Sequence, residues 1–478
     1  MKVAIVHYHL QPGGVTRVIE NTLGAWESAD LPIQTVVLSG RTYPGKLIKD
    51  IQVVDGLDYA HPEEAISPSI LVERMETAAR ESLGANPDIW HIHNHSLGKN
   101  PALPMAISLL ANKGAFMLLH PHDFAEDGRP GNFTCLNHCY ASTYPSSERI
   151  HYAALNHRDL SFLDLMLAGL PSKAHLLANA IPFGGNQADG ETHPELPENL
   201  FLYPVRAVRR KNLGELALLS IAHPEKHFAN SLGPTNPNFE SEYNQWKDFA
   251  ANQNLNLTFG LGENCSASFP QMVNHARAII STSVAEGFGL GFLEPWTYRK
   301  GLCGRNLPEI TSDFTNLGID LKNLYERCDV NVDLLDEPGK LQEAIRLALQ
   351  EFYTSYGIPL PADSVEQAYH SFVHKGKVDF GRLNEELQRQ ILGKLQKSPV
   401  LLDQIREQLT LNIPSVNAIE SNKAAVEKQF SPLEYGRKLH AIYREVLDAQ
   451  SDKLEYAQGK KLLDEFLSPQ RLNLLRTS

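Results

Sequence analysis

Residues 276–296 read ARAIISTSVAEGFGLGFLEPW, an apolar run of strand length that opens into alternate glycines. Gly287, Gly289 and Gly291 are the glycines, and Glu286 and Glu294 flank the GFGL motif. Glycines between a strand and a helix let the backbone approach a ligand closely and leave helix N–H groups free to face an anion such as a diphosphate. Taken alone, the segment is compatible with an ordinary turn as well as with such a site.

The chain has 478 residues, which is too long for one ordinary hydrophobic core. Its apolar fraction is 42% and its charged fraction 21%, values typical of a globular protein. The 44 Lys and Arg against 56 Asp and Glu give a net charge of -12. Because this charge repels phosphate backbones, nucleic acid is not expected as a partner.

The N-terminal stretch MKVAIVHYHL lacks the charged leader and long apolar core of a signal peptide and predicts a first strand. No apolar run approaches the length of a transmembrane helix. The 5 cysteines are few and odd in number, which is typical of a reducing compartment. We therefore expect a cytoplasmic protein without a transmembrane segment.

Strand-length apolar runs alternate with helical stretches, which predicts an α/β fold with parallel sheets. The rhythm begins with KVAIV, IQTVVLS, DIWHIH, AFMLLH and AHLLAN, and restarts with NLFLYPV, LNLTFGLG and ARAIISTS. Between them lies a Gly-, Pro- and acid-rich linker. We predict two Rossmann-like domains, residues 1–188 and 189–335, that face a cleft, followed by a helical C-terminal region, residues 336–478, part of which crosses back to the first domain.

Two further turns carry residues suited to a diphosphate ligand. RAVRRKN at 206–212 follows the first strand of the second domain and supplies Arg206 and Lys211, two cations that can neutralise a leaving diphosphate without a metal. HLQPGGVTRVIEN at 9–21 is a strand-to-helix turn in the first domain, where Gly13 and Gly14 can present backbone N–H groups. Each turn alone also fits an ordinary solvated turn.

Together the three turns resemble the retaining nucleotide-sugar glycosyltransferases of the GT-B fold, glycosyltransferase family 4, which includes glycogen synthases, sucrose-phosphate synthases and many mannosyltransferases. The resemblance covers residues 1 to about 330 and returns at FSPLEYGRKLHAIY. Its most specific element is the pair of glutamates separated by seven residues, Glu286 and Glu294.

The resemblance implies a role for each matching position. Glu294 would hold the ribose hydroxyls, and Glu286 would accept hydroxyls of the donor sugar. Arg206 and Lys211 would stabilise the diphosphate. The remaining donor-binding positions are Gly287, Phe288, Gly289, Leu290, Gly13 and Gly14. Five positions depart from the family pattern: Val205 replaces a usual Gly, Leu307 and Pro308 precede Glu309 in place of a Gly-Gly turn, Gly291 replaces Pro, and Pro295 replaces Ala. Pro295 predicts a helix that starts late or is kinked.

Of the chain's 19 histidines, several cluster in WHIHNHS and LLHPHDF at two predicted strand ends. Alternate histidines on a strand point to one face, so a metal site is one interpretation; we favour sugar and acceptor hydrogen bonding and expect no metal. HDF at 122–124 is similar to the family's His-Asp segment, which implies that His122, with His120 as its rival, lies near the donor sugar. His93 is a candidate acceptor contact.

Other candidate acceptor contacts lie on loops of the first domain. Asp123, Glu126 and Asp127 in HDFAEDGRPGN are exposed-loop acids by prediction. Asn156 and Arg158 in LNHRDLSFL are a second candidate set, although Asn156 equally predicts a helix cap. CLNHC at 135–139 lacks a second ligand pair, so its cysteines are expected to be buried thiols.

The resulting hypothesis is hexosyl transfer from a nucleoside diphosphate sugar to a hydroxyl of a sugar or small polar acceptor, with retention and without cofactor or metal. No nucleophile is evident beneath the sugar, so no covalent intermediate is expected. The absence of a strong basic amphipathic surface favours a soluble acceptor. The alternatives are a GT-B nucleotide-sugar epimerase, a phosphorylase with a pyridoxal cofactor, and a non-catalytic sugar-nucleotide binding protein.

Overall fold

The computed structural model describes residues 1–181, 193–337, 339–451 and 453–476, which fold into two units. The first unit consists of Met1–Pro182, Ser355–Ile358 and Phe430–Ser468, and the second of Phe183–Thr354, Pro359–Gln429 and Pro469–Ser478. The domain boundary predicted at residue 188 lies outside the described residues.

A parallel sheet forms the centre of the first unit. The strands of this unit are β1 (Lys2–His7), β2 (Gln34–Ser39), β3 (Ile51–Val53), β4 (Ile89–His93), β5 (Met117–His120), β6 (Pro145–Ser146), β7 (Ile150–Ala154) and β8 (Ala174–Leu176). Seven of these strands pair in the order β3-β2-β1-β4-β5-β7-β8, each neighbour parallel. The five strands that we predicted here are confirmed.

Helices cover both faces of this sheet, as a parallel sheet requires. They are α1 (Gly14–Ser28), α2 (Pro68–Leu83), α3 (Ala102–Asn112), α4 (Pro130–Leu136) and α5 (His157–Leu167). Helix α2 illustrates the local signals, because Pro68 occupies its first turn and Gly84 ends it at φ 68°. Residues of α2, α3 and α5 fill the core on one face, and α1 packs on the other.

The second unit repeats the design with a smaller sheet. Its strands are β9 (Leu200–Arg206), β10 (His227–Leu232), β11 (Leu257–Thr258), β12 (Ala278–Ser281) and β13 (Leu302–Gly304), paired in parallel in the order β11-β10-β9-β12-β13. A small antiparallel sheet follows, with β14 (Asp329–Asn331), β15 (Val373–His374) and β16 (Lys377–Asp379). The predicted fold class, α/β with two parallel sheets, is confirmed.

The helices of the second unit continue the numbering. They are α6 (Leu213–Ala222), α7 (Pro237–Asn252), α8 (Phe269–His275), α9 (Glu294–Thr297), α10 (Pro308–Asn316), α11 (Lys340–Ser355), α12 (Ser364–Phe372), α13 (Glu385–Leu395), α14 (Pro399–Gln408) and α15 (Val416–Phe430). Helix α6 is buried on all sides. The buried Arg305, just after β13, binds Glu215 of α6 at 2.6 Å and Asp379 of β16 at 2.8 Å, and so ties the small sheet to the parallel one.

The C-terminal helices divide between the two units. Helices α16 (Pro432–Leu447) and α17 (Lys460–Phe466), with the short strand β17 (Glu455–Tyr456), belong to the first unit. Helix α16 packs on α1, where Gly436 lies against the backbone of Ala25. Strand β17 pairs antiparallel with β6. Within the described residues, no helix combines the length and the apolar character needed to cross a membrane.

Candidate functional site

The carboxyl ends of β9 and β12 are neighbours in the second sheet, and the candidate site begins there. Arg206 ends β9, and a 3-10 turn at Arg209–Lys211 follows. The turn is fixed to the segment after β12, because the Thr282 hydroxyl donates to the Lys211 carbonyl at 2.9 Å and the Val284 N–H donates to the Arg210 carbonyl at 2.9 Å. The structure therefore brings together two predicted motifs that are far apart in sequence.

Lys211 and Glu286 form an ion pair in this site. Each side chain is 15% exposed, and the Ser283 hydroxyl donates to the same Glu286 oxygen at 2.6 Å. Burial lowers the pKa of Lys211, and the Glu286 charge opposes that shift. An ammonium carries three donors, so Lys211 can hold Glu286 and an incoming oxyanion at once.

Of the three glycines after Glu286, the fold requires one and leaves room for a side chain at the other two. Gly289 adopts φ 87°, and a Cβ there would lie 2.8 Å from the Ile310 side chain, so the fold requires glycine. Gly287 and Gly291 have positions where a Cβ would meet nothing within 4 Å. Packing does not demand glycine at these two exposed positions, which leaves close approach of a ligand as a reason for it.

The rest of the segment turns before it becomes a helix. Leu290–Phe292 form a 3-10 turn, and α9 begins only at Glu294, with Pro295 in its first turn. Of the two alternatives predicted from Pro295, the late start is confirmed. Glu294 is an exposed residue. Phe288, in contrast, is 6% exposed and packs edge-on against Phe314.

Arg206 is hydrogen-bonded to a residue that lines a cavity, which the sequence did not predict. Its guanidinium donates to the Gly233 carbonyl at 3.3 Å, and Gly233 lines a cavity of about 300 Å³. Tyr243, Glu240 and Glu263 also line it. The available sequence signal is the turn GPTNP at 233–237, which follows β10 and so ends at the same edge of the sheet as Arg206.

The predicted residues of the first unit lie at or after the carboxyl ends of β1, β4, β5 and β7, neighbouring parallel strands whose carboxyl ends share one edge. Gly13 and Gly14 are exposed at the start of α1, where a Cβ would meet nothing closer than 3.7 Å. His122 is 9% exposed, and burial lowers its pKa to about 3. Asn94 positions this segment, because its Oδ1 accepts from the N–H groups of His122 at 2.6 Å and Asp123 at 3.2 Å.

Two predicted acceptor contacts are corrected by burial. His93 is 0% exposed and lies 2.8 Å from His122 through their ring nitrogens, so it is a core residue and offers no surface to an acceptor. Glu126 is also 0% exposed, and its Oε1 accepts from the hydroxyls of Tyr140 and Tyr144. The sequence predicted both residues to be accessible, because His93 lies at a strand end and Glu126 lies in a polar loop.

Asn156 and Arg158 lie at the start of α5. The Asn156 side chain accepts from the Asp159 N–H at 2.8 Å, so the helix-cap alternative is confirmed for this residue. Arg158 forms an ion pair with Asp159 at 2.8 Å, and both side chains are less than 10% exposed. Asp123 is more accessible and pairs with Arg129. All five cysteines are free thiols, Cys139 buried and Cys135 half-buried.

Comparisons with known proteins bear on the fold and the activity. No protein-family model matches the chain. It is 26% identical over 419 residues to mannosylglucosyl-3-phosphoglycerate synthase from Petrotoga mobilis, covering 80% of this chain and 79% of that protein.

Two solved structures are similar over almost the whole chain. Sucrose-phosphate synthase from Thermosynechococcus elongatus has a TM-score of 0.54 at 12% identity, covering 93% of this chain and 98% of that one. HepE from Anabaena, solved with UDP and glucose, has a TM-score of 0.53 at 10% identity, covering 93% and 99%. The chain thus has the GT-B fold. Together with the Petrotoga relative, these structures support the conclusion that the protein is a glycosyltransferase of GT-B type.

Proposed function

We propose that this protein transfers a hexosyl group from a nucleoside diphosphate sugar to an acceptor hydroxyl, with retention at the anomeric carbon. The observation that carries the proposal is the Lys211–Glu286 ion pair beside the glycine segment 287–294 at the carboxyl edge of the second sheet. We further propose a place in glycosyltransferase family 4 and a cytoplasmic location.

Arg206 and Lys211 supply the positive charge for the leaving diphosphate. Lys211 is largely withdrawn from water, and an ion pair at such a position is stronger than one in bulk solvent. The Lys211 ammonium binds a diphosphate oxygen while it stays paired with Glu286, and the charge that develops on the diphosphate as the glycosidic bond breaks strengthens that contact. Side-chain cations therefore neutralise the leaving group, and we propose that no metal is required for this step.

Glu286 then accepts hydroxyls of the donor sugar, and Glu294 accepts the ribose diol. The carbon–oxygen bond to the diphosphate breaks while the acceptor oxygen bonds the anomeric carbon on the same face. The acceptor proton passes to the departing phosphate oxygen. The donor roles of Gly13, Gly14 and His122, and the acceptor roles of Asp123 and Arg158, stay predictions.

The cavity next to Arg206 suits the nucleoside part of the donor. Two carboxylates, Glu240 and Glu263, line it, so a neutral group with N–H or O–H donors fits better than a phosphate. Tyr243 adds an aromatic wall. Glu263 is already oriented, because its Oε1 accepts from the Gly233 N–H at 2.9 Å.

The acceptor proposal draws on the Petrotoga relative, whose name describes a glycoside of 3-phosphoglycerate. A product of that kind is small, anionic and water-soluble. We propose a soluble acceptor of the same class, a phosphorylated small molecule or its glucoside. A lipid or nucleic acid acceptor is not proposed.

A panel of sugar nucleotides in a thermal-shift assay, followed by nucleotide release with and without acceptors, tests the proposal. We expect one donor to raise the melting temperature, since binding to the native state stabilises it. Release should require an acceptor and be faster with glucosyl-3-phosphoglycerate or 3-phosphoglycerate than with free glucose.

The Glu294→Ala variant should lose the thermal shift while keeping its fold. Donor epimerisation without acceptor would instead favour an epimerase, and stabilisation without turnover would favour a binding protein. No stabilisation by any sugar nucleotide would contradict the proposal.

A further inference from the structure

A cluster of buried histidines, His91, His93 and His120, lies on one face of the first sheet. His91 and His93 alternate on β4, and His120 of β5 is the direct pairing partner of His93, so all three rings share a face. All three residues are 0% exposed. Their ring centroids are separated by 4.3 Å, 5.4 Å and 5.2 Å. These three histidines are packed in the core, whereas the sequence predicted histidines that line an accessible strand end.

The nitrogens of this histidine cluster converge. One ring nitrogen from each residue lies within 4.8 Å of the others. His91 Nε2 and His120 Nδ1 are 3.1 Å apart. Two nitrogens bound to one tetrahedral zinc ion at its usual bond length lie roughly 3.3 Å apart. His91 and His120 therefore need little rearrangement to bind a common ion, and a His93 nitrogen lies within 4.8 Å of the ligand atoms of both.

Several nitrogens in this core lack hydrogen-bond partners. His93 Nε2 and His120 Nε2 are buried and have no hydrogen-bond partner among the described residues, and the same holds for Nδ1 of the neighbouring His7. A neutral imidazole has one donor and one acceptor nitrogen, and a protein core rarely leaves such groups unpaired. At His93, a bound cation would use a lone pair for which the protein supplies no donor.

The helix that covers the cluster fixes one of its rings. The hydroxyl of Tyr443, on α16, lies 2.7 Å from His91 Nδ1. When Nδ1 carries the proton, its N–H donates to the hydroxyl oxygen of Tyr443, and Nε2 is left as the lone-pair nitrogen. Burial also lowers the pKa of His91 to about 3. It lowers the pKa values of His93 and His120 well below the ordinary value for histidine. Neutral imidazole is the form that binds metals.

We propose that His91, His93 and His120 bind one transition-metal ion, of the kind that prefers imidazole nitrogen, such as Zn²⁺. Three nitrogen ligands without a carboxylate disfavour Mg²⁺ and Ca²⁺, which prefer oxygen. The ion joins β4 to β5 under α16 and stabilises the first unit. This site goes beyond the proposed transfer reaction, whose diphosphate cations belong to the second unit.

A second group in the same unit, His151, His175 and Glu445, also brings ligand atoms within 4.8 Å. Its carboxylate is already paired, because Glu445 binds Lys173 at 2.6 Å. Glu445 is also 44% exposed. This group therefore serves as the matched control.

Metal titration of the untagged, chelator-treated full chain tests the proposal. Co²⁺ and Zn²⁺ are added while visible absorption, bound metal by mass spectrometry and the melting temperature are recorded. We expect one ion per chain, the absorption of tetrahedral Co²⁺, and a higher melting temperature. His93→Gln should abolish binding, and His175→Gln should retain it. Absence of binding in the wild type, or loss in His175→Gln but not in His93→Gln, would overturn the site.

A pair of tyrosine variants keeps the test decisive if a histidine variant fails to fold. Tyr443→Phe removes only the hydroxyl next to His91, and we expect metal affinity to fall about 10- to 100-fold. Tyr435→Phe is the control, because Tyr435 is also buried on α16 but bonds Thr22. Equal metal affinity in the two variants, or an X-ray absorption spectrum of the loaded protein without imidazole ligands, would contradict the proposal.

Discussion

At the scale of single residues, the Lys211–Glu286 ion pair links the structure to the proposed chemistry. The carboxylate holds the ammonium in place, and Ser283 holds the carboxylate. A cation that is oriented before the ligand arrives needs no reorganisation when charge develops on the leaving group.

Lys211→Gln should reduce kcat by about 10²- to 10³-fold with a smaller change in the donor KM, because the cation is needed most as the glycosidic bond breaks. Steady-state kinetics with the donor found in the thermal-shift panel measure this. Arg210→Gln is the control, since Arg210 is an exposed cation of the same turn. Equal losses of kcat in the two variants would refute a specific role for Lys211.

Glu126 is an acid that is buried in the fold, and burial shifts its pKa. Desolvation raises its pKa from 4.5 to about 7, although the hydroxyls of Tyr140 and Tyr144 oppose the shift. Its Oε2 is buried and has no hydrogen-bond partner in the part of the chain that the structure describes. Because the folded pKa lies above the unfolded one, the folded state binds the proton more tightly. The associated stability is present below pH 4.5 and is lost as the pH rises toward about 7.

Glu126→Gln should therefore remove this pH dependence. The amide imitates the protonated acid, so the variant should match the wild type near pH 5. Near pH 8 its free energy of unfolding should be higher by up to about 3 kcal/mol. Denaturant titrations across this range measure the difference. Exposed Glu63→Gln is the control, and parallel curves for the wild type and Glu126→Gln would contradict the assignment.

At the scale of elements, the segment between β12 and α9 contains one glycine that the fold requires and two glycines where a Cβ would meet nothing within 4 Å. Gly289 turns the backbone at φ 87° against α10, which starts the 3-10 turn and delays α9 to Glu294. Gly287 lies in the open part of the same segment. The two positions should respond differently to a methyl group.

Gly289→Ala should lower the free energy of unfolding by about 1–3 kcal/mol, because alanine is strained at this φ and meets Ile310. Gly287→Ala should leave stability near the wild-type value but raise the donor KM, since its Cβ enters the space proposed for the sugar and phosphates. Chemical denaturation and donor kinetics separate the two effects. The reverse pattern would mean that Gly287 rather than Gly289 holds the turn.

At the scale of the whole molecule, the sequence was sufficient to predict both parallel sheets, because the alternation of strands and helices is local. The edge that carries Arg206, Lys211 and Glu286 followed from the same rhythm, since parallel strands place their carboxyl ends together. The late start of α9 was one of two alternatives that Pro295 left open.

What escaped prediction depends on contacts distant in sequence. His91 meets Tyr443 352 positions away, so nothing near the histidines reveals the helix that buries them. Glu126 is likewise buried by Tyr140 and Tyr144, which form part of a core that only the folded unit assembles. The cavity beside Arg206 is lined by residues of the stretch from Gly233 to Lys247 and by Glu263, which lies further along the chain.

The central claim is transfer of a glycosyl group with retention by a GT-B protein. Its most direct test is proton NMR of the reaction of the pure enzyme with an α-linked sugar nucleotide and a phosphoglycerate-type acceptor. We expect a new glycosidic signal with the small anomeric coupling of an α linkage if the sugar is glucose, formed in step with release of the nucleoside diphosphate. A β-linked product, or nucleotide release without any new glycoside, would contradict the claim.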